Sequence, residues 1–368
     1  MNVYIPIAVM FILLLLEFPV AFSIFVSTMT YFLFFSYLPL MMVVQRMYAG
    51  CDSFFLLAVP LFMFTGVIME AGGISRRIID FANSLVGWLP GGMAAVAIVS
   101  AMFFAGISGS AAADAAAVGS ILIPAMKKSG YDSDFAAAVQ ASGGSIGVVI
   151  PPSIPMIIFG FLTGASIGQL FAAGLLPGVL IGFSLIMVAT VISRRKGYAT
   201  SRVFSLAEVW CTFRRAILAL GAPLIILGGI LGGIFTATES AAVAVVYAMF
   251  VGIFVYRKIK FKDLFRLFRE GAVTSAIVMF IIATASVFSW IAAMEDIPAR
   301  LAGSLLGLTK DPTLLLLLIN LVLLIAGTFV ETSAALILLV PMIAALLPAL
   351  GIDIVHLGAV VVINLAIG

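Results

Sequence analysis

The chain is written in long apolar stretches separated by short polar breaks, and no stretch shows the period-two alternation of a half-buried strand. The apolar runs cover positions 3–35, 53–69, 93–126, 135–163, 170–192, 217–256, 273–294, 314–350 and 354–368. A membrane-crossing helix needs about 20 apolar residues. Within lipid each backbone polar group must be satisfied inside the protein, which a helix does and an open strand does not. The pattern therefore predicts a bundle of transmembrane helices. Several runs exceed one span and are interrupted by Pro, Gly, Ser or Thr, so broken helices and hairpins are expected among them. The first run has no basic residues ahead of it and no small-residue cleavage pattern, so it reads as structure rather than leader.

An internal repeat organises these runs. Ser110-Ala111-Ala112-Ala113-Asp114, with Pro124 ten residues on, matches Gly327-Thr328-Phe329-Val330-Glu331 with Pro341. Each is followed by a Gly-x-Asp turn, Gly130-Tyr131-Asp132 and Gly351-Ile352-Asp353. Met69-Glu70 with Ile74 to Arg77 resembles Met294-Glu295 with Ile297 to Arg300. Two homologous halves follow, near 1–195 and 215–368.

Composition confirms the class and adds sidedness. Of 368 residues 64% are hydrophobic and 10% charged, with mean hydropathy +1.30, against about a quarter charged in a soluble domain. This excludes a soluble globule, a disordered chain and a nucleic-acid module. The two cysteines, Cys51 and Cys211, make no disulfide scaffold. Cytoplasmic loops collect Lys and Arg. The loop after the first long run carries Arg46 alone, whereas its counterpart carries Arg257, Lys258, Lys260, Lys262, Arg266 and Arg269. Equivalent loops thus lie on opposite sides, and the repeats are inverted. With the N-terminus outside, 16 of the 19 basic residues fall inside, among them Arg76, Arg77, Lys127, Lys128, Arg194, Arg195, Lys196, Arg202, Arg214 and Arg215. Arg46, Arg300 and Lys310 fall outside. The trace requires 93–126 and 314–350 each to enter and leave on one side, as re-entrant hairpins with tips at Gly106–Ser110 and Gly327–Thr328. Inverted repeats with broken helices are the architecture of secondary transporters, because half-helix ends aim dipoles and free backbone groups at a central site.

Four motifs then carry a resemblance. Gly106-Ile-Ser-Gly-Ser-Ala-Ala-Ala-Asp114, Val149-Ile-Pro-Pro-Ser-Ile-Pro155, Gly233-Ile-Phe-Thr-Ala-Thr-Glu-Ser-Ala-Ala242 and Glu331-Thr-Ser-Ala-Ala-Leu336 with Pro341 resemble, in this order and over nearly the whole chain, the large membrane (permease) subunit of tripartite ATP-independent periplasmic (TRAP) transporters. The resemblance implies an all-α polytopic protein of the bacterial inner membrane. Its two inverted repeats would each carry a hairpin and a broken helix and work as an elevator. The implied activity is sodium-coupled import of a small organic acid, such as a dicarboxylate or sugar acid. The implied partners are a small membrane subunit and a periplasmic substrate-binding protein that delivers the ligand. The expected division is scaffold and arm helix 1–90, transport unit 91–165, scaffold, connecting and arm helices 166–310, and second transport unit 311–368.

Read from the residues, the Gly106–Ser110 tip frees the backbone to turn and offers hydroxyls and carbonyls to a hard cation; small-residue helix contact is the plainer reading. Asp114 is an acid at membrane depth, where ionisable groups are rare and functional. It either approaches a cation or complements the dipole of its helix. Candidate sodium ligands are Ser108, Gly109, Ser110, Asp114, Gly144 and Ser145 in the first half, and Gly327, Thr328, Glu331 and Thr332 in the second. Proton coupling through Asp114 or Glu331 is the alternative. Ser142-Gly143-Gly144-Ser145-Ile146-Gly147 followed by Pro151-Pro152-Ser153 is expected to break a span and leave carbonyls for ion or substrate. Substrate contact falls to Ser110, Pro152, Ser153 and Thr328. Thr236 or Thr238 is expected to cap a helix carrying Glu239 in its first turn, within a structural break. The stretches 74–88, 297–308 and 260–269 read as interfacial amphipathic helices.

Two other function classes have a foothold in the sequence. Gly106-Ile107-Ser108-Gly109 matches a nucleophile pattern, and the sole histidine, His356, would have to reach Ser108 for an intramembrane serine protease. A passive channel is the other alternative. No phosphate-binding G-x-x-x-x-G-K-[ST] occurs. Matching Asp132 to Asp353 sets an offset of 221 residues, so Gly368 corresponds to Gly147 and the counterparts of Pro151 and Pro152 would lie beyond the last residue. A second repeat as long as the first would end at roughly residue 415. The chain is therefore expected to stop inside a span.

Overall fold

The computed structural model describes residues 4–198, 203–309 and 311–368; Arg202 and Lys310, whose sidedness the charge pattern assigns, lie outside them. In chain order the described α-helices are α1 (Tyr4–Leu15), α2 (Val20–Phe34), α3 (Met41–Cys51), α4 (Ala58–Ala71), α5 (Ile74–Val86), α6 (Gly92–Ser108), α7 (Ala111–Lys128), α8 (Ser133–Ser145), α9 (Ile154–Thr163), α10 (Ile167–Arg195), α11 (Leu206–Leu231), α12 (Ala237–Phe250), α13 (Phe261–Met294), α14 (Ile297–Leu308), α15 (Pro312–Phe329), α16 (Thr332–Ala344), α17 (Leu347–Leu350) and α18 (Ile354–Ile367). No strand occurs among the described residues. By length and composition α10, α11, α12 with its π-helical extension to Val255, α13 and α15 can each cross a membrane. The chain is an all-α polytopic membrane protein.

It divides into two compact units. One holds residues 58–154 and 167–272, the other 1–57, 155–166 and 273–368.

In the 58–154/167–272 unit, α6 is the central helix, packed by α5, α7, α8 and α10, while α12 lies along α4 and α11 along α5. Its core is built from Ile68, Ile78, Ile98, Ile107, Val118, Leu122 and Ala222. Helices α6 and α7 form the first hairpin. Helices α11 and α12 form another, antiparallel one, since the Tyr247 hydroxyl near the end of α12 donates to the Leu218 carbonyl in the middle of α11 at 2.8 Å, and Tyr256, further along the chain, donates to the earlier Arg215 carbonyl at 3.4 Å. The apolar run 217–256 is thus two helices folded back on each other. The turn is fixed by a capping box in which Thr236 Oγ1 accepts from Glu239 N at 3.3 Å and Glu239 Oε2 accepts from Thr236 N at 2.8 Å. Thr236, not the buried Thr238, is the cap. The expected separate interfacial helix over 260–269 is instead the first turns of α13, a continuous helix of 34 residues.

In the other unit, α1 and α2 also fold back on each other, and the Ser27 hydroxyl donates to the Pro6 carbonyl at 2.7 Å. Tyr31 donates to Glu295 at 2.5 Å beside a core of Phe32, Val43, Val287, Ile291 and Ile297. Helices α15 and α16 form the second hairpin, with α18 packed on both. The α15–α18 contact is held by Asn364 Nδ2, which donates to Asn320 Oδ1 at 2.5 Å. Gly327 permits it, because a Cβ there would meet the Leu365 carbonyl at 2.9 Å.

The hairpins correspond at an offset of 221 residues. Helix α6 ends at Ser108 and α15 at Phe329, and the next helices begin after caps Ser110 and Glu331. Glu331 therefore takes the place of Ser110, not of Asp114. The sequence match at a shift of four residues is one helical turn away, which preserves the helix face and so the small and apolar pattern.

Candidate functional site

The first tip is built where the chain needs the left-handed conformation. Gly109 has φ 64°, ends α6, and sits so close to the next break that a Cβ there would lie 2.6 Å from the Pro152 carbonyl. Its own carbonyl accepts from Ile154 N at 3.2 Å, which ties the tip to the start of α9. Ser110 caps α7 by accepting from Ala113 N at 3.4 Å. Ser108 is buried, and its hydroxyl donates to Asp114 Oδ1 and receives Ser110 N at 3.1 Å.

Asp114 is fully buried in the first turn of α7, and its second oxygen, Oδ2, has no hydrogen-bond partner. That oxygen faces Gly147: a Cβ there would fall 2.3 Å from Oδ2 and 3.2 Å from the Ser110 carbonyl. Gly147 belongs to a 3₁₀ turn over Ile146–Val148 that follows the end of α8 at Ser145. The expected broken helix is therefore α8 and α9, separated by residues 146–153, with Pro151 and Pro152 joined by a cis peptide bond. Gly144 lets α8 approach α7, since a Cβ there would be 2.8 Å from Ala115 Cβ. Ser145 donates back to Ser142 at 2.9 Å, and the buried Ser153 donates to the Val148 carbonyl at 2.5 Å.

Ser108, Gly109, Ser110, Asp114 and Gly144 thus come together with Pro152 and Ser153 within one unit, while the Ser145 hydroxyl closes on its own helix. Sequence reasoning missed Gly147. It stood inside the Ser142–Gly147 run, but only the tertiary approach of the 3₁₀ turn to α7 shows that this glycine, rather than Gly144, faces the acid.

The second tip is built otherwise. Gly327 and Thr328 lie in the last turn of α15, and the Thr328 hydroxyl donates to Leu324 within the helix at 2.9 Å. The chain turns at Val330 and Glu331 instead. Glu331 is exposed and caps α16: Oε2 accepts from Ser333 N at 3.0 Å and Ala334 N at 3.2 Å, and Oε1 accepts from the Ser333 hydroxyl at 2.9 Å. Thr332 is the first residue of α16. The sequence pairs Asp114 and Glu331, but their roles differ: one carboxylate is buried with an open oxygen, the other is spent on backbone donors.

Comparison with known proteins places this architecture. The family described as the tripartite ATP-independent periplasmic transporter, DctM component, matches residues 7–368. The isethionate TRAP transporter permease protein DctMQ of Oleidesulfovibrio alaskensis is 43% identical over 332 residues, 90% of this chain and 52% of that protein. The chain thus spans about half the length of that relative. The sialic acid TRAP transporter large permease protein SiaM of Vibrio cholerae is 40% identical over 350 residues, 95% of this chain and 82% of that protein. Among solved structures the Alcanivorax borkumensis YdaH transporter shares the fold, with TM-score 0.57 at 14% identity over 88% of this chain and 75% of that one. A hairpin in each compact unit, a broken helix against the first tip and the family match over residues 7–368 lead to one assignment: the chain belongs to the DctM family, the large permease component of tripartite ATP-independent periplasmic transporters.

Proposed function

We propose that the chain carries a small organic anion, a carboxylate such as a dicarboxylate or sugar acid or a related acid, inward across the bacterial inner membrane in symport with sodium. A small membrane subunit and a periplasmic substrate-binding protein complete the system. The observation that carries this reading is the open oxygen of Asp114. A buried carboxylate oxygen without a hydrogen-bond donor calls for a cation or a proton. The surrounding donor set consists of oxygens, from Ser108, Ser110 and the backbone at Gly109, which suits a hard ion.

In this reading Ser108, Gly109, Ser110, Asp114, Gly144 and Ser145 form the first sodium locus. Gly327, Thr328, Glu331 and Thr332 form the second, through carbonyls more than through the Glu331 carboxylate, which is already committed. The substrate meets Ser110, Pro152 and Ser153, and Thr328 from the second tip. No lysine or arginine belongs to either tip, so the anion is received by the dipole at the start of α7, by hydroxyls and by the bound cations. The hairpin and its broken helix move as one body in an elevator, with the α11–α12 pair among the static elements. Membership of a transporter family speaks against Ser108 as a protease nucleophile, and its hydroxyl is engaged with Asp114.

The test is uptake of radiolabelled acid by proteoliposomes containing the complete permease, its small subunit and the loaded binding protein. Accumulation above the external concentration only under an inward sodium gradient supports symport. Uptake that stops at equal concentrations supports a passive channel instead. Accumulation driven by a pH gradient without sodium moves the coupling to a proton on Asp114.

A further inference from the structure

Away from the hairpin, five basic side chains converge on a cavity of about 870 Å³ in the 58–154/167–272 unit: Arg76 and Arg77 of α5, Arg214 and Arg215 of α11, and Lys258 after α12. They come from three segments far apart in sequence, so the cluster is made by folding. Asp80 and Glu208 also line the cavity and leave a surplus of three positive charges.

One wall is preorganised. The Arg77 guanidinium lies 3.5 Å from the centre of the Tyr256 ring and donates to the Gly73 carbonyl at 3.0 Å. The Tyr256 hydroxyl in turn donates to the Arg215 carbonyl at 3.4 Å. The remaining bases are exposed and present planar forks or an ammonium to an oxyanion.

The charge pattern puts this end of the unit on the cytoplasmic side, and exposed Trp88 and Trp210 near the ends of α5 and α11 mark it as interfacial. A general excess of lysine and arginine inside explains the sign of these residues. It does not explain their convergence on one cavity, for Lys262 and Arg269 obey the same rule as exposed residues on α13.

We propose that this cavity binds a phosphate group at the cytoplasmic face. An anionic phospholipid headgroup and free phosphate share that chemistry, and the volume is that of a small-ligand pocket. A headgroup held there would join the amphipathic α5 to the α11–α12 pair.

Native mass spectrometry of the complete, delipidated permease with its small subunit tests the assignment, with cardiolipin, phosphatidylglycerol, phosphatidylcholine and inorganic phosphate as probes. Each surface cation contributes enough that Arg76→Gln/Arg214→Gln is expected to weaken cardiolipin or phosphatidylglycerol binding about thirtyfold, and Lys258→Gln about fivefold. Lys262→Gln/Arg269→Gln is expected to change it less than twofold. Displacement of lipid by millimolar inorganic phosphate, lost in the cavity variants, identifies free phosphate as the occupant and upholds the phosphate site. Lipid retained against phosphate identifies the headgroup. Equal losses in cavity and control variants, binding of phosphatidylcholine as tight as of phosphatidylglycerol, or no effect of any cavity variant overturns the proposal. Should the double variant elute as aggregate, the single Lys258→Gln result decides by the same criterion.

Discussion

At the scale of single residues, Asp114 was legible as an unusual acid, but its state was not. Sequence places a carboxylate in the first turn of a membrane helix, where it complements the dipole. That one oxygen is bound by Ser108 and the other left facing Gly147 follows from how the 3₁₀ turn meets α7. Two substitutions separate these effects. Asp114→Asn keeps the volume and the Ser108 contact while removing the charge; sodium activation of uptake is expected to weaken at least about tenfold, with the melting temperature little changed. Gly147→Ala places a methyl against Asp114 Oδ2 and is expected to abolish sodium-dependent uptake, even though alanine favours the local helix. Normal sodium activation in both variants would remove Asp114 from the ion site. Asp132 offers a contrast. The Lys196 ammonium beside it, at 2.5 Å, together with the Tyr198 hydroxyl holds its carboxyl below the usual range. Its folded-state pKa is depressed, so any stabilisation is present above the unfolded value and is lost as pH falls through the folded one. The pair is solvent-exposed, and surface pairs contribute little. Lys196→Gln is therefore expected to shift the melting temperature only slightly at pH 7, with the difference vanishing at low pH.

At the scale of elements, hydrophobic periodicity found helices and their breaks but not the direction of the chain after each break. The turn at 232–236 and that at 16–19 look alike in sequence to a kink. They are hairpins because the second helix packs antiparallel on the first, through Tyr247 to Leu218 and through Ser27 to Pro6. The cap at Thr236 was readable because Ser/Thr-x-x-Glu is a local signal. Thr236→Ala removes the hydroxyl half of that box and is expected to cost about 1 kcal/mol, read as a lower melting temperature with unchanged sodium dependence. The hairpin arms are longer than a tip at the bilayer midplane requires. The 17 residues of α6 span about 26 Å, most of a hydrocarbon core of about 30 Å unless the helix tilts. The repeat also teaches something at this scale: sequence similarity aligned Asp114 with Glu331, whereas the caps align Ser110 with Glu331. A shift of one turn leaves the helix face and its residue pattern nearly unchanged, so only the observed helix starts could choose between the two registers.

At the scale of the whole molecule, orientation is the property the chain encodes most directly. A cysteine placed at Arg46, in a background with Cys51 and Cys211 replaced by serine, is expected to react with an impermeant maleimide from outside. One at Arg215 is expected to react only after permeabilisation. The reverse labelling would invert the assignment. The cluster at Arg76, Arg77, Arg214, Arg215 and Lys258 gives one end of a unit a surplus of positive charge, the sign expected of a cytoplasmic end. Apolar content, the scarcity of charge and the length of the apolar runs were enough to determine membrane class and helical architecture, because these depend on composition and on local period alone, while the order of the four motifs carried the family. What the tertiary structure decided was which oxygen is left open, which glycine faces it, which acid is spent as a cap, and which basic residues from distant segments share a cavity. Each of these is a relation between side chains brought together by packing, and packing between helices far apart in sequence leaves no periodic mark on the chain itself.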